Sequence, residues 1–456
     1  MRINIIDTTS TEFNRGSFCY APYLCYNGLS DMVSPSSGKP INEVTLMEGF
    51  QSEDLDKIPD ADVHIITLWS YPQIEIAMLL AQMLPFEKGV DNLFFVGYRP
   101  LIDHLGLRYV DKLLGFDPLQ DENFLQSAMC TYPKNYPVFK RLLLSDCDMH
   151  IQHLEKGKLV HPLFTSYGCP NGCAFCPSTK NCGRKRIELD FYDVCAMLDE
   201  CMQDDIKYIH FTDEDFFFDI DRAYNILRHL DGKGMHLIAL SSASAAWKFI
   251  DKYGSLILKD AGLEVMEIGF ESAAESVSGK MGVGKSLSDC EKLARIQHEL
   301  PFSIFWLVLT FFPGETITSL NETGNFLRKY GFEESEVVGR LRTNGTKGGL
   351  GQFFQPYHGL GLHKSLAQNG LFLTERPIRL IPSYVPNTFL DSRIKKINMN
   401  LADTATPWLE LYNVKLTASD LTLGTSLRDY VIGKPMYQTI KTAIAFAIFA
   451  RMGVIE

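Results

Sequence analysis

The sequence predicts an α/β protein: an N-terminal doubly wound domain, a partial (β/α)6 barrel, and a small, mainly helical C-terminal region. Three observations carry that prediction. Apolar runs of strand length alternate with helix-length segments over most of the chain. A chain of 456 residues, 46% apolar and 22% charged, has room for roughly three ordinary domains and can bury a sizeable core. Cysteine-bearing and acidic segments fall where strands end, the place where barrel chemistry sits.

The elements follow in chain order. Arg2–Asp7 and Val44–Glu48 read as strands. Asp62–Trp69 (DVHIITLW) is an apolar run followed by a helix over Gln73–Met83, and Asn92–Gly97 (NLFFVG) is a buried strand closing on glycine. This β-α-β rhythm over residues 1–150 predicts a parallel sheet. A second domain, residues 158–385, opens with Leu159–Ser166. It continues with strands at Tyr208–Thr212, His236–Ser241, Val265–Glu271, Phe302–Phe311 and Gly351–Tyr357. Helices such as Asp193–Gln203 and Asp219–Leu230 lie between them. Beyond residue 385 the rhythm fades. Pro382, Pro386 and Pro407 punctuate the chain, and Tyr437–Val454 reads as a docking helix within a third region, 386–456. Gly345–Gly351 (GTKGGLG) reads as a flexible loop.

Composition narrows the function. With 44 basic against 55 acidic residues the net charge is −11, which disfavours a nucleic-acid binder. No stretch reaches the ~20 apolar residues of a membrane span. The opening residues read as a strand and not as a leader, so a cytoplasmic location is expected. Eleven cysteines, an odd number, do not suit a secreted disulfide scaffold, and most read as small core residues.

Cys169, Cys173 and Cys176 are different. Thiolates at i, i+4 and i+7, in a loop that Gly168, Pro170 and Gly172 let turn tightly, can hold three corners of an iron–sulfur cube. The fourth iron is then open to a small molecule. Zinc is the competing reading, but no second Cys/His pair has suitable spacing. Cys182 as a fourth ligand would close the site. An electron carrier calls for a closed four-ligand cluster and a small body, whereas this chain offers three ligands in a barrel-sized domain. A rival of another class is a nucleotide triphosphatase. Gly279–Ser286 (GKMGVGKS) fits the phosphate-loop spacing, but the strand ends near Glu271 and a helix-like spacer, Ser272–Ser278, intervenes.

The stretch Gly168–Cys176 (GCPNGCAFC) resembles the CxxxCxΦC signature of the radical S-adenosylmethionine superfamily, with Phe175 in the aromatic slot. The resemblance implies a [4Fe–4S] cluster on Cys169, Cys173 and Cys176, with S-adenosylmethionine chelating the open iron. Reductive cleavage then yields a 5′-deoxyadenosyl radical that abstracts a substrate hydrogen. Further matches run over residues 160–385. Phe211–Phe216 (FTDEDF) implies Glu214 at the methionine amine, and Gly269–Ser272 (GFES) implies Glu271 near ribose or methionine. Ser241 comes from the third strand, and Phe312–Thr316 (FPGET) implies Pro313 beside adenine. Pro356-Tyr357 resembles the proline segment ending the sixth strand, and Arg186, after the cluster loop, is a candidate for the cofactor carboxylate.

A Rossmann-like domain ahead of such a barrel resembles the subgroup with an N-terminal cobalamin-binding domain. That implies cobalamin and methylation of an unactivated carbon. The alternative is a cobalamin-free oxidoreductase or lyase whose N-terminal domain shapes the substrate pocket. The Asp-x-His-x-x-Gly signature is broken: Asp62-Val63-His64 meets Thr67 where glycine belongs, and Asp148-Met149-His150 meets His153. Thr67–Tyr71 and Gly97–Arg99 would lie nearest a flat cofactor, with Trp69, Tyr71 and Tyr98 competing for its space. Expected partners are a small-molecule or peptide substrate and a reductase or flavodoxin-type electron donor. Trp306, Phe353, Phe354, Tyr357 and Tyr384 are either pocket lining or core.

Overall fold

A computed structural model describes residues 1–8, 21–29, 32, 41, 43–47, 57–69, 73, 77, 80–81, 84–85, 92–130, 160–282, 286–310, 312–313, 317–332, 351–353 and 357–368. By its contacts the chain divides into two compact units. One comprises Met1–Gly172, Cys176–Ile268 and Gln297–Phe305; the other comprises Cys173–Phe175, Gly269–Ile296 and Trp306–Glu456.

The first sheet has four strands, β1 (Arg2–Ile6), β2 (Glu43–Met47), β3 (Val63–Leu68) and β4 (Leu93–Gly97), in the order β2-β1-β3-β4. All three pairings are parallel, with Ile5 opposite both Leu46 and Ile65, and Ile66 opposite Phe95. β3 and β4 are buried at every position, as an apolar strand covered on both faces must be. The strand order reverses between β1 and β3, which makes their C-terminal ends a topological switch point. Ala77 and Leu80, inside the expected helix Gln73–Met83, are helical and fully buried. Short helices follow β4 at Arg99–His104, Asp111–Leu114 and Glu122–Met129. The last is capped by Asp121, which accepts from Phe124 N. Gly28, in the helix Ala21–Leu29, has no side chain because the Phe124 ring occupies that space.

The second sheet has six strands. They are β5 (Val160–Leu163), β8 (Tyr208–Phe211), β9 (His236–Ser242), β10 (Leu263–Glu271), β11 (Ser303–Thr310) and β12 (Gly351–Phe353), adjacent in chain order. The pairs β5–β8, β8–β9 and β11–β12 are parallel. Between β5 and β8, β6 (Ser166–Tyr167) and β7 (Ile187–Glu188) form an antiparallel ribbon. Helices separate the strands in the expected alternation. Phe191–Gln203 is capped by Asp190, Ile220–Leu230 by Asp219 and Ala243–Tyr253 by Ser242. Ala223, Ile226, Leu227 and Leu230 give Ile220–Leu230 its buried stripe.

The α/β class with parallel sheets is as expected. The first barrel strand, read as Leu159–Ser166, ends at Leu163. Thr165 leaves the sheet because its carbonyl accepts from Leu189 N while its own N–H goes to Asp213. Gly279, Lys280 and Met281 lie inside the helix Glu275–Met281, so the first glycine of the phosphate-loop spacing sits in helical backbone and not in a loop. The region 386–456 with its helix Tyr437–Val454, residues 345–350, Tyr71, Phe354 and Tyr384 lie outside the described residues. Among the described residues no helix is long and apolar enough to cross a membrane.

Candidate active site

The cysteine loop leaves β6 and ends at the short helix Ser178–Asn181. Gly168 (φ +89°) and Gly172 (φ +41°) turn it through conformations that disfavour a side chain. A Cβ on Gly168 would also stand 2.9 Å from the Cys182 Cβ. Cys169, Cys173 and Cys176 are all half-buried and reduced. Burial first, then Asp215, Glu214 and Cys176, push the Cys169 thiol up to about 12, against an opposing backbone hydrogen bond from Asn171. Burial also raises Cys176, opposed by hydrogen bonds from Ser178.

Three acids follow β8, and each has a separate task. Asp213 accepts from Thr165 N at 3.1 Å and Thr165 Oγ1 at 2.7 Å, and from the Ser166 hydroxyl, locking the end of β5 to the end of β8. Asp215 accepts from Ser241 Oγ (3.1 Å), Ser242 N (3.2 Å) and Asn171 Nδ2 (3.1 Å), joining β9 to the cysteine loop. Glu214 accepts from Gly168 N at 2.8 Å. Burial pushes its carboxyl up to about 7, with backbone hydrogen bonds opposing. None of the three caps the next helix; Asp219 does that.

Arg186 is nearly buried and already engaged. Its Nε donates to Glu188 at 2.7 Å, its Nη1 to the Asp215 carbonyl at 2.8 Å, and its Nη2 lies 3.9 Å from Asp213. The first unit therefore gathers Cys169, Cys176, Glu214, Ser241 and Arg186. Cys173, Phe175, Glu271 and Pro313 belong to the second unit. There, Ala174 N donates to Met281 O at 2.7 Å, and Phe175 packs on Ala274, Val277, Met281, Leu309 and Phe312. Glu271 ends β10 with φ +62°. Pro313 is half-buried just beyond β11, and residues 314–316 lie outside the described residues. Trp306 is core: fully buried, edge-on to Phe270 at 5.5 Å. Tyr357 is half-buried.

Sequence reading placed Asp213 and Asp215 beside Glu214 at a strand end, and Ser242 beside Ser241, without giving them tasks; it did not single out Tyr167 or Asn171. The alternation of acids after a strand was the available signal, but the partner of each acid depends on how the chain leaves β8.

The described residues at this loop fit a bound cofactor. Tyr167 Oη, Asn181 Nδ2 and Thr212 Oγ1 are buried without hydrogen-bond partners, and such atoms call for a further polar partner. No three or more His, Cys, Asp or Glu among the described residues converge as for a single metal ion.

At the switch point of the first sheet, Thr67 Oγ1 donates to Asp7 Oδ1 (3.2 Å) and accepts from Thr8 N (3.1 Å), while Thr8 Oγ1 donates to Thr67 O (2.6 Å). Asp7, Thr8 and Thr67 are all buried. Tyr98 is fully buried and Trp69 half-buried, its N–H held by Gln73 Oε1 at 2.7 Å. His64 lies inside β3, 3.5 Å from Asn4 Nδ2, and not at a strand end.

Residues 163–327 match the family described as the radical SAM superfamily. That segment of the chain carries a radical SAM domain. An uncharacterized methyltransferase of Pyrococcus horikoshii is 23% identical over 218 residues, 46% of this chain and 43% of the relative, so the match spans under half of that protein's length. Two solved structures share the fold. One is the radical S-adenosylmethionine methyltransferase TsrM of Kitasatospora setae, solved with cobalamin and a [4Fe–4S] cluster (14% identity, TM-score 0.53, 82% of this chain and 76% of that chain). The other is the cobalamin-dependent S-adenosylmethionine radical enzyme OxsB, solved with aqua-cobalamin and S-adenosylmethionine (13% identity, TM-score 0.54, 98% of this chain and 72% of that chain).

Proposed function

We propose that this chain is a cobalamin-dependent radical S-adenosylmethionine enzyme that methylates an unactivated carbon of a small molecule or peptide. Cys169, Cys173 and Cys176 hold a [4Fe–4S] cluster; residues 1–150 hold cobalamin beyond the ends of β1, β3 and β4, and residues 158–385 form the catalytic barrel. The observation that carries this reading is the juxtaposition of the cysteine loop and the acid Glu214, joined through Gly168 N. When bound, the cluster supplies the electron that splits S-adenosylmethionine, and cobalamin supplies a transferable methyl group.

The chain's own residues do the rest. The Cys169 and Cys176 thiols, held protonated by burial, release protons on binding iron, so cluster uptake is favoured at higher pH. Glu214, raised toward neutrality by burial, ionises when an ammonium group arrives. Arg186 holds the Asp215 carbonyl, and Asp213 and Asp215 fix the two loops against which the cofactor docks. A reductase or flavodoxin-type donor supplies electrons, and a cytoplasmic location suits that need.

The cobalamin-free oxidoreductase or lyase is the second reading. It is favoured by the mutual hydrogen bonds of the buried Asp7, Thr8 and Thr67, which tie the ends of β1 and β3 together, and by the buried Tyr98. Anaerobic reconstitution with mass spectrometry for 5′-deoxyadenosine tests the radical chemistry. Spectral titration with hydroxocobalamin separates the two readings: no binding at tens of micromolar, with 5′-deoxyadenosine still formed, leaves only the second.

A further inference from the structure

Tyr167 and Cys182 stand beside the cysteine loop without belonging to its three-cysteine pattern. Tyr167 ends β6, two residues before Cys169, and is 3% exposed. Its hydroxyl has no hydrogen-bond partner. It neighbours the Cys182 thiol without the geometry of a hydrogen bond, and both groups feel the Glu214 carboxyl. Cys182 is 7% exposed and caps the helix Ser178–Asn181. It lies close enough to Cys169 and Cys176 to feel their charge, and its Sγ would stand 3.3 Å from a Cβ on Gly168. Asn181 Nδ2, one residue earlier, is also buried without a partner. Buried donors without acceptors are rare in folded proteins, and here two belong to the segments that flank the cysteine loop.

We propose that Tyr167 and Cys182 are positioning residues that donate hydrogen bonds toward the sulfurs of the loop-bound cluster and so set its reduction potential. The proposal rests on the cluster reading above. Reduction adds negative charge to a cluster, and donors to its sulfurs stabilise the reduced form, raising the potential. Removing either donor should therefore make the cluster harder to reduce while leaving its three ligands in place.

The test uses the full chain, reconstituted anaerobically with iron and sulfide and titrated with dithionite, without S-adenosylmethionine. Iron and sulfide content is read first, then the midpoint from the electron paramagnetic resonance signal of the reduced cluster. Tyr167→Phe and Cys182→Ala should retain the full iron content and move the midpoint to more negative values, with a several-fold lower ratio of reduced to oxidised cluster at a fixed poise. Cys182→Ser, which keeps a donor, should restore most of that ratio. An unmoved midpoint in either Tyr167→Phe or Cys182→Ala overturns the proposal. Loss of iron from Cys182→Ala also overturns it, by making Cys182 a fourth ligand. Failure of the unaltered chain to take up iron and sulfide defeats the cluster reading itself, and is seen before any variant is compared.

Discussion

Gly168 N–H donates to Glu214 Oε2 at 2.8 Å, so the first turn of the cysteine loop is tied to the segment leaving β8. The bond joins a backbone group to a side chain 46 residues further on. It places a titratable carboxyl beside the loop without calling on any cysteine.

Glu214→Gln tests that carboxyl. Glutamine keeps a carbonyl oxygen for Gly168 N but cannot carry charge. Loss of one charge-assisted contact costs roughly 1.5–3 kcal/mol, so affinity for S-adenosylmethionine should fall about 10- to 150-fold. Isothermal titration of the reconstituted chain measures this, and unchanged affinity would remove Glu214 from the cofactor site.

The three loop cysteines should act as a set. Alanine at Cys169, Cys173 or Cys176 removes an iron ligand, and each variant should lose cluster iron and 5′-deoxyadenosine formation together. Cys201, fully buried in the helix Phe191–Gln203, is a control: Cys201→Ala should keep its iron. Iron and sulfide assays decide, and a full cluster in Cys173→Ala contradicts the ligand set.

His210 and Glu267 give opposing pH dependences. Their Nε2 and Oε2 atoms lie 3.8 Å apart, on β8 and β10. Burial lowers His210 to about 4 from 6.5 and raises Glu267 to about 7 from 4.5. The depressed histidine binds a proton only on unfolding, so its contribution rises as pH climbs from about 4 to 6.5. The raised carboxyl is protonated only in the fold, so its contribution is full below 4.5 and is lost as pH rises through 7. The two nearly cancel. Glu267→Gln should expose the rising limb and His210→Gln the falling one, each of order 2–3 kcal/mol in urea denaturation of the cluster-free chain. Parallel, flat pH profiles in both variants would contradict the assignment.

Thr67→Val removes a hydroxyl that serves Asp7 Oδ1 and Thr8 N at once. The buried groups left behind should cost about 1–3 kcal/mol, and Thr67→Ser should recover most of it. Thermal or urea unfolding measures both. A neutral Thr67→Val would mean that the switch-point bonds contribute little to holding β1 and β3 together.

Much of this was legible in the chain. Apolar runs such as VHIITL and LFFVG announced β3 and β4 because a strand covered on both faces has no polar side. Asp219 marked the start of its helix because a short acid caps free N–H groups. β6 and β7 were not legible: two residues each leave no period to read. The one-turn helices Arg99–His104 and Asp111–Leu114 escaped for the same reason. In the site, the cysteine spacing was written locally. The commitments of Asp213, Asp215 and Arg186 were not, because their partners lie 26 to 48 residues away in sequence, or, for Arg186, on a backbone carbonyl. The phosphate-loop spacing was set aside in the sequence because a helix-like spacer precedes it, and Gly279–Met281 are indeed helical. Its Met281 carbonyl receives Ala174 N, so a stretch that spells nucleotide binding serves as a brace for the cysteine loop.

Glu271 holds a left-handed backbone, φ +62°, at the last position of β10. A side chain there costs about 1 kcal/mol relative to glycine. A chain optimised for stability alone would carry glycine at this point. Glu271→Gly should then separate two properties that most substitutions spoil together, giving a protein that melts later and works worse. If Glu271 serves the cofactor as proposed, position 271 is where this fold trades robustness for a carboxylate.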